Sequence, residues 1–336
     1  MRIVYFYNEE WEKEFVSRHF PNDSFNFISG STKENSTVGD SDAEVLSVFV
    51  NSPVTKAQLD RFPKLRFIAT RSTGFDHIDL PEVTRRGITV ANVPTYGEHT
   101  VAEFAFALLL ALSRHIVDAY ERIKESGSFS QDGLRGFDLK GKTIGVIGTG
   151  HIGERMIKMA KGFDMNVVAF DVYQKTDLAA SLGFAYLPFD EVLAVSDILT
   201  LHAPYNSHTH HMISVENINK VKRGCYLINT SRGGLVETMA IVKGLESGVL
   251  AGAGLDVLEE EGQMVDEGVI LTSEHPNQES LRVVLANHYL MKHPRVIVTA
   301  HIAFDTQEAI ERILTVTIDN VAAFQSGTPV NLVKPT

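Results

Sequence analysis

Glycines 148, 150 and 153 form a G-x-G-x-x-G pattern within Lys142-Thr-Ile-Gly-Val-Ile-Gly-Thr-Gly-His-Ile-Gly-Glu-Arg-Met156. The chemistry such a spacing serves is pyrophosphate binding. Gly148 permits a tight turn after an apolar strand, Gly150 lets the backbone approach a phosphate, and Gly153 lets helix and strand pack closely. Unpaired N–H groups at the start of the next helix, with its dipole, then face the anion. Alone the pattern is weak, because glycine turns are common. It gains force from Asp171, which ends a second apolar run, 166–170. That is roughly the twenty-residue offset of an acid that grips a ribose 2′-hydroxyl. Val172 and Tyr173 follow, with no arginine to receive a 2′-phosphate. NAD is therefore expected over NADP.

Three more residues end strand-like runs. Residues 226–229 empty into Thr230-Ser-Arg-Gly-Gly234, which sets Arg232 among small neighbours; its planar fork suits a carboxylate held bidentately. Residues 253–256 lead into Val-Leu-Glu-Glu-Glu261, and Val296-Ile-Val-Thr-Ala-His-Ile-Ala303 carries His301. Ligands of open α/β sheets bind outside the carboxyl ends of strands. Arginine, carboxylate and histidine on one such edge make coincidence a poor account. The other acids of the 259–261 run read as solvated surface. Earlier in the chain, Ser72, Thr73 and Gly74 follow the run 66–69; small residues there can expose N–H groups as a nest for a small anion, with a plain turn as the competing reading. His202, His208, His210 and His211 tempt a metal assignment. Their spacing lacks a two-on-one-face pattern and no cysteine assists, so no metal is expected.

The elements that must position these residues follow from periodicity. Runs 3–6, 45–50, 66–69 and 88–91 read as strands, with helices at 11–19 and 56–61 between them, an alternation that implies a parallel sheet. Residues 100–126 read as one helix too apolar for a surface, crossing between domains or pairing with another subunit. Strands at 144–147, 166–170, 197–201, 226–229, 253–256 and 296–299 then build a second, doubly wound sheet. A last helix, 306–325, should return to the first domain. Substrate domain 1–98 plus 302–336 would thus flank a nucleotide domain, 99–301.

Composition agrees. The 336 residues suggest two domains, and 44% apolar with 22% charged residues describes an ordinary globular chain. A net charge of −11 argues against a nucleic-acid partner. The lone cysteine, Cys225, opens an apolar run and reads as a buried thiol in a reducing cytoplasm. No signal peptide is read at Met1, and the longest apolar stretch, 104–112, is too short to span a bilayer.

On these motifs the chain resembles the D-isomer-specific 2-hydroxyacid dehydrogenase family, most closely its D-lactate dehydrogenase branch. The likeness rests on Arg71-Ser-Thr-Gly-Phe-Asp-His-Ile-Asp79, Asn92-Val-Pro-Thr-Tyr-Gly-Glu-His-Thr-Val-Ala-Glu103, Ile228-Asn-Thr-Ser-Arg-Gly233, Gly254-Leu-Asp-Val257 and Ala300-His-Ile-Ala-Phe304. The resemblance implies an α/β protein of two doubly wound parallel-sheet domains, a Rossmann NAD-binding domain inserted into a smaller flavodoxin-like substrate domain. It implies reversible hydride transfer between NADH and the C2 carbonyl of a small 2-keto acid. Arg232 would clamp and polarise the substrate, His301 would exchange the proton, and Glu261 would keep the imidazole proton-loaded. Cofactor contacts would come from His151, Ile152, Asp171, Ala203, Pro204, Thr209, Thr230, Ser231 and Asp256, besides the glycines. Ser72, Thr73 and Gly74 would hold the substrate carboxylate, and Tyr96 would line its pocket. A homodimer and an interdomain cleft that closes on substrate are further implications. Two departures stand out: a long segment around 262–281, and Ala300 where the family usually has proline. A glyoxylate or hydroxypyruvate reductase of the same family remains open, as does a non-catalytic NAD-sensing interaction protein.

Overall fold

The structure, a computed structural model, describes residues 1–261 and 278–334. They divide into two compact units, Met1–Tyr96 with Thr306–Thr336, and Gly97–Asp305. The junctions lie at 96/97 and 305/306, where the sequence reading put 98/99 and 301/302.

In the first unit, strands β1 (Arg2–Tyr7), β2 (Ser24–Ser29), β3 (Val45–Val48), β4 (Phe67–Thr70) and β5 (Thr89–Ala91) form one sheet in the order β2-β1-β3-β4-β5. Every pairing is parallel. This is the flavodoxin-like order. Helices α1 (Glu10–His19), α2 (Lys56–Leu59), α3 (Leu80–Arg85) and, from the far end of the chain, α11 (Gln307–Gln325) belong to it. The strands are apolar on both sides because both sides are covered. Val4, Phe6, Leu46 and Ile68 lie in one core layer, while Ile3, Tyr5, Val45 and Phe67 pack with Leu314, Ile318 and Val321 of α11 in the other. β2 was not foreseen. It is an edge strand whose residues are half-buried or exposed, so its signal is only Phe25 and Phe27 in alternation.

The second unit holds β6 (Thr143–Ile147), β7 (Asn166–Phe170), β8 (Ala185–Tyr186), β9 (Ile198–Leu201), β10 (Cys225–Asn229), β11 (Leu250–Leu255) and β12 (Val296–Val298). Their order is β12-β11-β10-β9-β6-β7-β8, all parallel, a Rossmann sheet whose order reverses between β6 and β9. Helices α4 (Glu98–Ser113), α5 (Ile116–Ser126), α6 (His151–Gly162), α7 (Thr176–Leu182), α8 (Phe189–Val195), α9 (Thr238–Ser247) and α10 (Gln278–Lys292) complete it. Cys225 is fully buried, and burial pushes its thiol up. Residues 262–277 of the long segment flagged in the sequence lie outside the described residues.

The single helix expected over 100–126 is two, bent by 63°. The carbonyl of Ser113 accepts the N–H of Phe137 at 3.0 Å, so the last turn of α4 gives its hydrogen bond to the returning chain. Gly136 lies so close that a Cβ there would sit 2.1 Å from that carbonyl. His115 then turns left-handed, φ 51°, before α5 starts. Much of the apolar run in α4 is taken up inside its own unit. Val101, Ala105, Phe106, Leu108, Leu109 and Leu112 are buried, in good part against α6 and the sheet of their own unit. Among the described residues no single helix is long and apolar enough to cross a membrane.

Candidate active site

Two of the three motif glycines are fixed by packing. A Cβ at Gly148, whose φ is 93°, would lie 2.6 Å from the carbonyl of His202 across the β6–β9 crevice, and one at Gly153 would lie 2.0 Å from the carbonyl of Gly148. A Cβ at Gly150 would meet nothing within 4 Å; this glycine keeps open space in front of the loop. Gly150 is also the N-cap of α6 and brings no side chain to cap it. The N–H groups of the first turn, from His151, Ile152 and Gly153, are thus left for an anion.

Asp171 ends β7 with its carboxylate already aimed. Oδ2 accepts from the N–H and hydroxyl of Thr149, at 2.6 and 3.0 Å, and Oδ1 from the N–H of Tyr173 at 2.8 Å. The Thr149 hydroxyl also meets that of Tyr186 at 2.8 Å. Thr149 and Tyr186 escaped the sequence reading, because the "x" of a glycine motif carries no signal. In the loops after β9 and β10, the Thr209 hydroxyl bonds the Pro204 carbonyl at 2.7 Å beside half-buried Ala203, and the Ser231 hydroxyl bonds the carbonyl of Leu201 at 2.7 Å. Thr230 is buried, and its hydroxyl has no hydrogen-bond partner among the described residues. An open cradle, an uncapped helix, an oriented acid and an orphaned hydroxyl fit a dinucleotide.

Asp256 has a different occupation. It is 1% exposed. Its Oδ1 accepts from the Thr299 hydroxyl and the N–H of Ile302, at 2.6 and 3.0 Å, and its Oδ2 from the N–H of Ala303 at 2.8 Å. Its carbonyl takes the N–H of His301 at 2.8 Å. Four bonds from one residue hold His301 in a left-handed conformation, φ 55°, which is unfavourable outside glycine. Held so, His301 meets Glu261, with 2.5 Å between Nδ1 and Oε1. Oε2 of Glu261 accepts from the N–H of Leu258 at 3.1 Å. Arg232 stands at the end of β10, next to β11 in the sheet, its carbonyl tied to Asn229 Nδ2 at 2.9 Å.

In the first unit, Ser72 is buried and bonds the Gly74 carbonyl at 2.6 Å, while the Thr73 hydroxyl bonds the Val93 carbonyl at 2.7 Å. The N–H groups of Thr73 and Gly74 donate to no acceptor among the described residues. Beneath them, buried Arg71 donates to the Tyr5 hydroxyl at 2.5 Å and ion-pairs with buried Glu12. Tyr96 is half-buried, its carbonyl 2.6 Å from Arg312 Nε.

The four histidines after β9 share no task. His208 is exposed, and His210 and His211 stack at 3.7 Å. His211 Nε2 lies 2.5 Å from Oε1 of Glu259, an acid the sequence reading left to the surface. The side chain of His202 is turned inward, and burial holds its ring down at about 3.

Residues 106–303 match the model of the D-isomer specific 2-hydroxyacid dehydrogenase NAD-binding domain. A 2-hydroxyacid dehydrogenase homolog of Zymomonas mobilis is 34% identical over 333 residues, covering 97% of this chain and 98% of the relative. A glyoxylate reductase of Thermococcus litoralis is 37% identical over 300 residues, covering 87% and 84%. Among solved structures, D-lactate dehydrogenase from Aquifex aeolicus, in complex with NAD and lactic acid, superposes with a TM-score of 0.85 at 34% identity, covering 99% and 100%. With its dinucleotide cradle, its strand order and relatives aligned nearly end to end, this chain belongs to the D-isomer-specific 2-hydroxyacid dehydrogenase family and carries that family's NAD-binding domain.

Proposed function

We propose that the protein reversibly reduces a small, pyruvate-like 2-keto acid to the D-2-hydroxy acid, with His301 as acid and base. The observation that carries this reading is the 2.5 Å contact between His301 and Glu261 at the carboxyl end of a nucleotide-binding sheet. Bound NAD would supply the hydride exchange. Gly148, Gly150 and the first-turn N–H groups of His151, Ile152 and Gly153 bind its phosphates. Asp171 takes the ribose hydroxyls and repels a 2′-phosphate. Ala203, Pro204, Thr209, Thr230 and Ser231 are assigned to the same cofactor, while Asp256 serves it indirectly by holding the His301 loop. The N–H groups of Ser72, Thr73 and Gly74 are assigned to the substrate carboxylate, and Tyr96 to its side chain. Arg232 grips the carboxylate and polarises the C2 carbonyl.

His301 gives a proton to the forming alkoxide and recovers it in oxidation. Glu261 decides which nitrogen does so. A proton on Nδ1 is donated to Oε1, and Nε2, without a partner among the described residues, exchanges with substrate.

A homodimer in the cytoplasm is part of the proposal, but α5 supports it better than α4. Ile116, Tyr120 and Ile123 recur at helical spacing and are 54%, 62% and 46% exposed, with Phe129 nearby at 84%.

NADH oxidation measured with pyruvate, 2-ketobutyrate, phenylpyruvate, glyoxylate and hydroxypyruvate, with chiral analysis of the product, tests the proposal. Highest turnover on pyruvate, giving D-lactate, is expected. Preference for glyoxylate or hydroxypyruvate would favour the second reading, which the glyoxylate reductase among the relatives supports. No turnover on any of them would leave a non-catalytic NAD sensor.

A further inference from the structure

Glu261 is 40% exposed at its side chain, yet its carboxylate meets His301 at 2.5 Å. Its carboxylate bonds His301 and its own turn, where the Leu258 N–H donates to Oε2 at 3.1 Å; its backbone N–H donates to the Leu258 carbonyl at 3.3 Å. Glu260, at φ 54°, closes that turn in a left-handed conformation. Leu258, buried in the core of the unit, anchors the start of that turn. Two residues before Glu261, Glu259 is held from three sides. Oε1 meets His211 Nε2 at 2.5 Å, and Oε2 accepts the N–H and hydroxyl of Thr238, at 3.1 and 2.8 Å. Its carbonyl takes Nδ2 of fully buried Asn287 at 2.8 Å. Thr238 opens α9, so the carboxylate also sits at the helix end that favours negative charge.

The other side of the clamp is the arginine's loop. His211 N–H donates to the Gly234 carbonyl at 2.8 Å, and a Cβ on Gly233 would lie 2.0 Å from the carbonyl carbon of Leu258. The loop that carries Arg232 is thus pressed against the turn that carries Glu261, with His211 and Glu259 bonded across the join.

We propose that Glu259, clamped by His211 and Thr238, is a positioning residue that sets the Glu261 carboxylate against His301. The inference rests on the reading of His301 and Glu261 as the acid–base pair. Three adjacent carboxylates repel one another, and the Thr238 donors at the start of α9 offset that repulsion at Glu259. When the clamp is lost, Glu261 stays chemically intact but leaves the imidazole.

A double-mutant cycle in the full-length enzyme tests this, with kcat, keto-acid KM and NADH affinity by fluorescence titration read in each variant. Glu259→Ala is expected to lower kcat roughly tenfold, leaving keto-acid KM and NADH affinity within about twofold, and Glu259→Gln should recover part of the loss through its bonds to Thr238. In a Glu261→Gln background, Glu259→Ala should cost nothing further, because it acts through Glu261. Equal losses in both backgrounds mean an independent structural role and overturn the inference alone. A silent Glu261→Gln removes the acid–base reading and the inference with it. If Glu259→Ala does not fold, His211→Ala, which leaves the helix cap in place, enters the same cycle: a loss that vanishes in the Glu261→Gln background supports the inference, and an equal loss in both overturns it.

Discussion

His301–Glu261 and His211–Glu259 are the same chemical pair at the same 2.5 Å separation, their carboxylates two residues apart on one turn. They differ in what the carboxylate does with its other oxygen and in where the ring stands. Glu259 spends Oε2 on the start of α9 and is 13% exposed; Glu261 spends its own on the adjacent turn and is 40% exposed. The two rings are about equally exposed, 25% for His301 and 29% for His211, but the His301 backbone is held by four bonds from Asp256, whereas the His211 ring is stacked on His210. One pair joins elements; the other is the pair to which the proposed function gives the proton transfer. Residue types do not separate them; what the second carboxylate oxygen is tied to does, a helix start for Glu259 and its own turn for Glu261.

The largest effect should come from removing the two histidines in turn. His301→Ala is expected to lower kcat by roughly 10²–10⁴, the usual worth of a positioned acid–base, with NADH binding retained. His211→Ala should cost about tenfold or less. Equal losses, measured under conditions where chemistry limits the rate, would break the comparison.

A smaller loss separates the acid–base pair from the group that anchors the substrate. Arg232→Lys keeps the charge but loses the bidentate fork. An expected loss of about 1.5–3 kcal/mol, the value of a charged hydrogen bond, is roughly 10–100-fold in kcat/KM, carried mainly by the keto-acid KM. Unchanged kinetics would make Arg232 a structural residue like His211.

Much of this was legible in the sequence because it lives in local pattern. The glycine spacing, the acid at the end of β7 and the Arg232, Glu261 and His301 strand ends all announce themselves within a few residues. What escaped depends on contacts across the chain. Glu259 reads as one more acid in an exposed run until His211, 48 residues away in sequence, is seen beside it. Thr149 gains meaning only from Asp171 and Tyr186. The break between α4 and α5 has no glycine or proline to mark it; the cause is the return of Gly136 and Phe137 to Ser113. Apolar content said that α4 would be buried, not against what.

Asp171 extends the comparison to a carboxylate held by backbone and threonine instead of histidine. Asp171→Ser should reduce the preference for NADH over NADPH about tenfold, near 1.4 kcal/mol, with the keto-acid KM unaffected. A preference that does not move would assign cofactor choice elsewhere.

The smallest effect concerns His202, which has no carboxylate at all. Its Nε2 meets the Thr200 hydroxyl at 2.9 Å and its Nδ1 is buried without a partner among the described residues. Burial alone lowers its proton affinity, from the ordinary 6.5 to about 3. The proton therefore prefers the unfolded chain, which binds it at the ordinary value. Folding stability is untouched above about pH 6.5 and falls as pH drops from there toward 3, with a slope approaching about 1.4 kcal/mol per pH unit for this one group. His202→Gln removes the titration and keeps a polar group near Thr200. Urea unfolding of both proteins at pH 7.5 and 5.5 should show the wild type losing roughly 1 kcal/mol more than the variant over that interval. Parallel losses would mean that the folded protein accepts the proton at His202 as readily as the unfolded chain. The contrast between a histidine governed by a carboxylate and one governed by burial would then have to be given up.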